Sequence, residues 1–254
     1  ESVLTELSAL DLPIIMVNDG STADASAVMR QCESQFPLLT LIEHSENQGK
    51  GGAVQTGLLT ADKLGYSHAI QVDADGQHDL TDIQTLIYLG KKYPDSVISG
   101  QPIYDESVPK VRLYSRYITH FWVWIETLSL SIKDSMCGFR CYPVKETAAL
   151  LRDKQLGKRM DFDIEIMVRL FWRGTPSRFM PTKVIYPEGG SSHFRAFEDN
   201  VLISWMHTRL FFGMLPRIPL LLWRKLRGET LVDNARARYL AWHAYFTGLL
   251  SFGR

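Results

Sequence analysis

The stretch Ser67–Ile83, SHAIQVDADGQHDLTDI, narrows the fold more than any other part of the chain. Ala69, Ile70 and Val72 make a short apolar strand that runs directly into Asp73-Ala74-Asp75. Strand side chains alternate with period two, so the two carboxylates at its end face the same way. They repel each other unless a cation lies between them, and oxygen ligands suit Mg²⁺ or Mn²⁺. Mg²⁺ held by one or two carboxylates commonly completes its shell with substrate phosphate and water. Gln77 and His78 follow at once and are candidates for the same site. Taken alone, a D-x-D also reads as a solvated acidic turn before a helix capped by Asp79 or Thr81.

The surrounding pattern supplies the context. Glu1–Leu10 has the apolar spacing of a helix (Val3, Leu4, Leu7, Leu10) and stops before Pro13. Ile14–Val17 reads as a buried strand delivering Asn18-Asp19-Gly20-Ser21, with helix-start signals at Ser21, Thr22 and Asp24 for a helix to about Gln35. Leu38–His44 is a further strand. The loop Asn47-Gln48-Gly49-Lys50-Gly51-Gly52 then feeds a helix over Ala53–Leu64. After Ala69–Val72 come a helix from about Thr81 to Tyr93 and a strand at Val97–Gly100. Strands alternating with helix-length crossovers predict an α/β fold with a mainly parallel sheet covered on both faces. Ligands of such sheets bind outside the carboxyl ends of the strands, so Asp19, the Asn47 loop and Asp73/Asp75 are expected to line one crevice.

From Lys110 the character changes. Val111–Ile132 reads as a long aromatic-rich helix, and Asp134–Pro143, DSMCGFRCYP, as a glycine turn entering a strand. Helices are expected at Lys145–Leu151 and Phe162–Trp172, a strand at Arg178–Tyr186, and a polar loop at Gly189–His193. Asn200–Met214 and Leu215–Arg227 follow as apolar helical stretches interrupted at Pro216 and Pro219.

At 254 residues and zero formal net charge, the chain lacks the basic excess that a nucleic-acid partner would call for. Cys32, Cys137 and Cys141 are too few and too irregular for a disulfide framework or zinc site, and read as buried thiols. No apolar run reaches the roughly eighteen residues of a membrane span.

Gly49, Gly51 and Gly52 around Lys50 would let backbone approach a ligand with an ammonium near a phosphate, although a plain helix entry fits equally. The spacing is not that of a P-loop, and no G-x-G-x-x-G occurs. Asp19 is a candidate acceptor for a base or ribose, or else an N-cap. Arg140 is a candidate anion holder, or else part of an ordinary salt bridge. Together with a carboxylate pair at the same sheet edge, these residues describe a site for a nucleotide diphosphate.

At this point the chain resembles the family 2 glycosyltransferases of GT-A fold, in particular the polyprenyl-phosphate (dolichol-phosphate) mannosyl- or glucosyltransferase branch. The resemblance rests on VNDGSTADAS at Val17–Ser26, ENQGKGGAVQTG at Glu46–Gly57, VDADGQHDLTDI at Val72–Ile83, DSMCGFRCYP at Asp134–Pro143 and FDIEI at Phe162–Ile166. It implies Asp19 on the nucleotide base or ribose, Gly49 and Lys50 beside the nucleotide, and Asp73 near the ribose and sugar. It further implies Asp75 on Mg²⁺ or Mn²⁺ with Gln77 beside it, and Arg140 on the acceptor phosphate or donor diphosphate. Asp134 and Glu165 would line the acceptor side, and Ser192 and His193 belong to a segment that closes over the donor. The implied reaction is an inverting transfer from a UDP- or GDP-linked sugar to a lipid-linked acceptor such as polyprenyl phosphate, with Asp134 as base if the acceptor is a hydroxyl. Cys137 stands where the branch carries the serine of S-G-F-R, and the branch's opening strand is not found, so an earlier strand is expected ahead of residue 1. No Q-x-x-R-W occurs, which disfavours a processive synthase.

From Arg209 onward the chain carries eight basic residues (Arg209, Arg217, Arg224, Lys225, Arg227, Arg236, Arg238, Arg254) against Glu229 and Asp233, interleaved with Phe, Leu and Trp. That composition predicts an interfacial amphipathic segment over 201–254 behind a transferase domain over 1–200. The expected setting is the cytoplasmic face of a membrane, peripherally bound. The alternatives are transfer to a soluble glycan or small-molecule hydroxyl, and an inactive scaffold of the same fold.

Overall fold

In the computed structural model, residues 2–103, 110–184 and 195–227 are described. They run α1 (Ser2–Ser8), β1 (Ile14–Asn18), α2 (Ala23–Gln35), β2 (Leu39–Glu43), α3 (Lys50–Lys63), β3 (His68–Gln71), α4 (Ile83–Lys92) and β4 (Val97–Ile103). Then follow α5 (Lys110–Thr127), β5 (Arg140–Pro143), α6 (Val144–Asp153), α7 (Phe162–Arg173), β6 (Ser177–Lys183), α8 (Ala196–Met214) and α9 (Ile218–Leu226).

β1 and β2 pair in parallel, from Ile14 opposite Leu39 to Asn18 opposite Glu43. The other strands form a sheet in the order β3-β5-β4-β6. β4 and β6 are parallel, while β5 runs antiparallel to both its neighbours. β3, β4 and β6 therefore share one direction, and β5 returns between them. The reversal matters for the site: Arg140 at the start of β5 lies opposite Gln71 at the end of β3. The DSMCG turn ahead of β5 is thereby brought to the carboxyl edge where Asp73 emerges.

Period-two alternation divides the sheet residues between two cores. Val97, Tyr142, Ala69 and Phe179 face a cluster built with α3, α5, α6, α7 and α8. Ile98, Cys141, Ile70 and Met180 face a second cluster with Ile83 and Leu86 of α4 and Leu7 of α1. Helices cover both faces, as the alternating pattern predicts. All three cysteines are free and buried, and burial pushes the Cys137 and Cys141 thiols up to about 11 and about 12.

Several boundaries differ from the sequence expectation. α3 begins at Lys50, not Ala53, so two of the loop glycines are helical. α5 ends at Thr127, where Leu128 adopts a φ of 51° and the Thr127 hydroxyl donates to the Val123 carbonyl. The division expected at residue 200 falls inside α8, whose Met206, Leu210 and Met214 are buried in the larger core together with Leu221 of α9. Each such burial contributes about 1.5–3 kcal/mol, which holds α8 and α9 against the same core as α7. Pro219 sits in the first turn of α9, where its missing N–H has no partner to lose. No helix of the described residues is long and apolar enough to cross a membrane.

Candidate active site

α7 is the buried axis of the molecule: Phe162 through Trp172 is buried except for Arg169. Acidic side chains in its first turn complement the helix dipole, and Asp163 there reaches the end of β3. The Lys50 ammonium, from the first turn of α3, lies 2.7 Å from Asp73 Oδ2 and 3.0 Å from Asp163 Oδ2. Gln71 Nε2 donates to Asp163 at 3.3 Å and to Asp73 at 3.5 Å. Its carbonyl oxygen accepts the Tyr142 hydroxyl at 3.1 Å. His78 stacks on Phe139 with ring centroids 4.9 Å apart and holds Nε2 3.8 Å from Asp73. Burial works against the charge on Lys50, but Asp163 and Asp73 more than offset it and push its pKa up. Burial likewise opposes ionisation of Asp73, yet His78 and Lys50 hold its carboxyl well below the usual range. The group is a knot at a sheet edge in which one ammonium is shared by two carboxylates, and such pairing is what keeps buried charges tolerable.

Gly138 closes this knot from above. A Cβ on it would lie 2.8 Å from Asp73 Oδ2, 2.8 Å from Gln71 Nε2 and 2.9 Å from Lys50 Nζ. Only a glycine lets the DSMCG turn sit on these polar atoms without displacing them.

Asp75 lies beyond the knot, exposed on a turn whose Gly76 has a φ of 69°. The Gln77 amide N–H donates to its Oδ1 at 3.0 Å, which orients the carboxylate, and Gln77 itself is half-buried beside it. No group of three or more His, Cys, Asp or Glu side chains suited to a metal occurs among the described residues. One open carboxylate, with Asp73 two positions before it, fits a cation that draws most of its ligands from a diphosphate and water. It does not fit an all-protein cage.

The other expected residues are engaged by the protein itself. Asp19 accepts the backbone N–H groups of Gln48 and Gly49, both at 2.8 Å, and lies 2.7 Å from His44 Nδ1. It therefore pins the glycine loop. The loop glycines serve close packing: Gly51 abuts Phe162, and the Gly52 N–H donates to the Lys158 carbonyl at 3.0 Å. The α3 N-terminus is thus capped by the 157–161 segment.

Arg140, expected on an anion, has its donors directed into the protein. It is fully buried, donating to the Asp163 carbonyl (2.7 Å), the Ser135 carbonyl (2.7 Å), the Tyr142 hydroxyl (3.3 Å) and Ser99 Oγ (3.3 Å). It holds backbone, with no face turned to an anion in the crevice. Asp134 accepts both Arg116 Nε (2.8 Å) and Nη2 (2.9 Å) and the Met136 and Cys137 N–H groups. Glu165 ties Gly157, Arg169 and Arg209 together at zero exposure, so it braces α7 against α8. Ser192 and His193 lie outside the described residues.

Sequence reasoning missed Gln71, Asp163, Arg116 and Gly138 as neighbours of the candidate residues. Asp163 alone left a signal, a carboxylate in a helix too apolar to expose one side.

The lysine-carboxylate knot and the exposed Asp75 turn lie at the carboxyl end of the sheet, where open α/β sheets bind their ligands. The comparisons make the class specific: the model for Glycosyl transferase family 2 matches residues 1–152, and the chain belongs to that family. It is 27% identical over 221 residues to the UDP-N-acetylglucosamine--dolichyl-phosphate N-acetylglucosaminyltransferase of Methanococcus voltae, covering 80% of this chain and 83% of that one. It is 28% identical over 178 residues to the dolichyl-phosphate beta-glucosyltransferase of Dictyostelium discoideum (65% and 53% covered). To the Saccharomyces cerevisiae protein of the same name it is 29% identical over 178 residues (61% and 51%). The chain thus spans about half the length of the glucosyltransferases it matches.

Proposed function

We propose that this family 2 glycosyltransferase moves a sugar from a UDP- or GDP-linked donor to a lipid-linked acceptor, with polyprenyl phosphate as the acceptor class, by an inverting transfer. The observation that carries the reading is the pairing of the Lys50-Asp73-Asp163 knot with the open Asp75 at one sheet edge. The nucleotide diphosphate would lie along that edge, with Lys50 and Asp73 beneath it and Asp75 holding Mg²⁺ or Mn²⁺ with Gln77 alongside. When bound, the cation supplies positive charge against the leaving diphosphate. Lys50 adds an ammonium held in place by two carboxylates.

Asp134 favours a phosphate acceptor over a hydroxyl. A hydroxyl needs a base, whereas a phosphate is already ionised. Four donors already occupy the Asp134 carboxylate, which suits an anchor of the turn rather than a base.

Membrane docking is part of the proposal, with a smaller basic contribution than composition suggests. Arg209 pairs with Glu165, Arg217 stacks on Trp172 at 4.7 Å, and Arg224 donates to the Trp172 carbonyl. The apolar half is available: Trp205, Phe212, Trp223 and Leu226 on α8 and α9 are exposed, as are Ile118 and Phe121 on α5. Such a surface suits the headgroup boundary where a lipid phosphate is met.

The test is transfer by the full-length protein from a panel of UDP- and GDP-sugars to polyprenyl phosphate with Mg²⁺ or Mn²⁺, with a simple alcohol as parallel acceptor. Turnover of one donor onto the phosphate supports the reading. Turnover onto the alcohol alone, or of no donor at all, overturns it.

A further inference from the structure

We infer that Asp163 is a positioning residue for the transfer: from beneath the crevice it fixes the Lys50 ammonium against Asp73, so that the donor meets a preset cation. This rests on the proposed donor site. Lysine carries its charge on a flexible four-carbon stem, and one held by a single partner at a rim would sample many rotamers. Here two carboxylates from different elements hold it, Asp73 at 2.7 Å from the end of β3 and Asp163 at 3.0 Å from α7.

Exposure separates their roles. The Lys50 and Asp73 side chains are 27% and 21% exposed, while that of Asp163 is 5% exposed. Asp163 thus acts through the lysine rather than on a ligand.

Its own place is fixed twice over. Gln71 Nε2 donates to Asp163 Oδ1, and Gln71 is in turn held by the Tyr142 hydroxyl. Arg140 donates both to that hydroxyl and to the Asp163 carbonyl, so the buried arginine sets the first turn of α7. Rigid support of this kind is what turns a mobile side chain into a preorganised one. It also gives Arg140 a part in the site without contact to any anion.

The test compares Asp163→Asn, Lys50→Met and the double variant in the full-length protein. It reads kcat, donor KM and the rate at which an amine-reactive reagent labels Lys50 at one fixed pH, followed by peptide mass spectrometry. Asp163→Asn should raise donor KM about tenfold with a smaller fall in kcat, and should speed Lys50 labelling several-fold. In the Lys50→Met background the same change should add little, because residues acting through one another are not additive. Unchanged labelling in folded Asp163→Asn, or losses that multiply in the double variant, would overturn the inference. Labelling needs no turnover, so it decides the positioning of Lys50 even if no donor is used and the transferase reading fails. Should Asp163→Asn not fold, Asp163→Glu carries the same labelling test, since it keeps the charge and moves it by one methylene.

Discussion

The ends of β1 and β3 look alike in sequence and differ in what their carboxylates do. Asp19 follows β1 and is consumed by two backbone N–H groups and His44, so it shapes a loop. Asp73 follows β3 and meets a lysine instead, and Asp75 beyond it stays exposed. The difference lies in the neighbouring backbone. After β1 the glycine loop folds back and offers its N–H groups to the acid. After β3 the turn closes on itself through the single Gln77 N–H and leaves the rest of the carboxylate outward. An acid at a strand end is available to a ligand only where the next segment does not take it first.

The sharpest way to break this comparison is to remove each acid in turn. Asp75→Ala should lower transfer by about 10³-fold, the scale of losing a principal transition-state charge partner, without shifting the melting temperature. Arg140→Met should act on the fold instead. It strands the Ser135 and Asp163 carbonyls in the core, and should cost about 3 kcal/mol in denaturant unfolding. Gly138→Ala tests the cover of the β3 knot, where the added methyl displaces Asp73 or Lys50. It should lower kcat about 10²-fold with the fold retained by circular dichroism. Asp19→Ala should lose about 1–2 kcal/mol of stability and leave nucleotide affinity within a few-fold of wild type.

The smallest effect concerns a buried acid on α5. Burial raises the pKa of Glu126, whose partner is His207 at 2.8 Å. Above its ordinary value of 4.5 the unfolded chain releases this proton before the folded one does. The folded state then binds more protons, and stability falls as pH rises through that window toward the raised folded value. Glu126→Gln should flatten this slope in melting curves taken at pH values above 4.5.

Much of the fold was legible because apolar periodicity and turn residues do not depend on distant contacts. The runs at Ile14–Val17 and Leu38–His44 and the helix at Phe162–Trp172 sit within a residue or so of β1, β2 and α7. The direction of β5 was not legible, since nothing in Arg140–Pro143 records which strands it will lie between. Among the candidate residues, Asp73, Asp75 and Lys50 were marked by their local motifs. Gln71, Asp163 and Arg116 were not, because their roles come from pairing across long sequence separations. The partners of Arg140 were hidden for the same reason: a basic residue after a glycine turn reads as an anion holder, and the Asp163 carbonyl that takes one of its donors lies on another element. The C-terminal basic run shows the converse, as Arg209 and Arg217 find partners within the domain.

The most direct measurement of the central claim is calorimetric binding of UDP and GDP to the full-length protein, with and without Mn²⁺, for wild type, Asp75→Ala and Asp19→Ala. The open-carboxylate account predicts metal-dependent binding of one nucleotide that vanishes in Asp75→Ala and survives in Asp19→Ala. Equal binding by wild type and Asp75→Ala, or loss in Asp19→Ala alone from a folded protein, would contradict it and move the donor site to the end of β1.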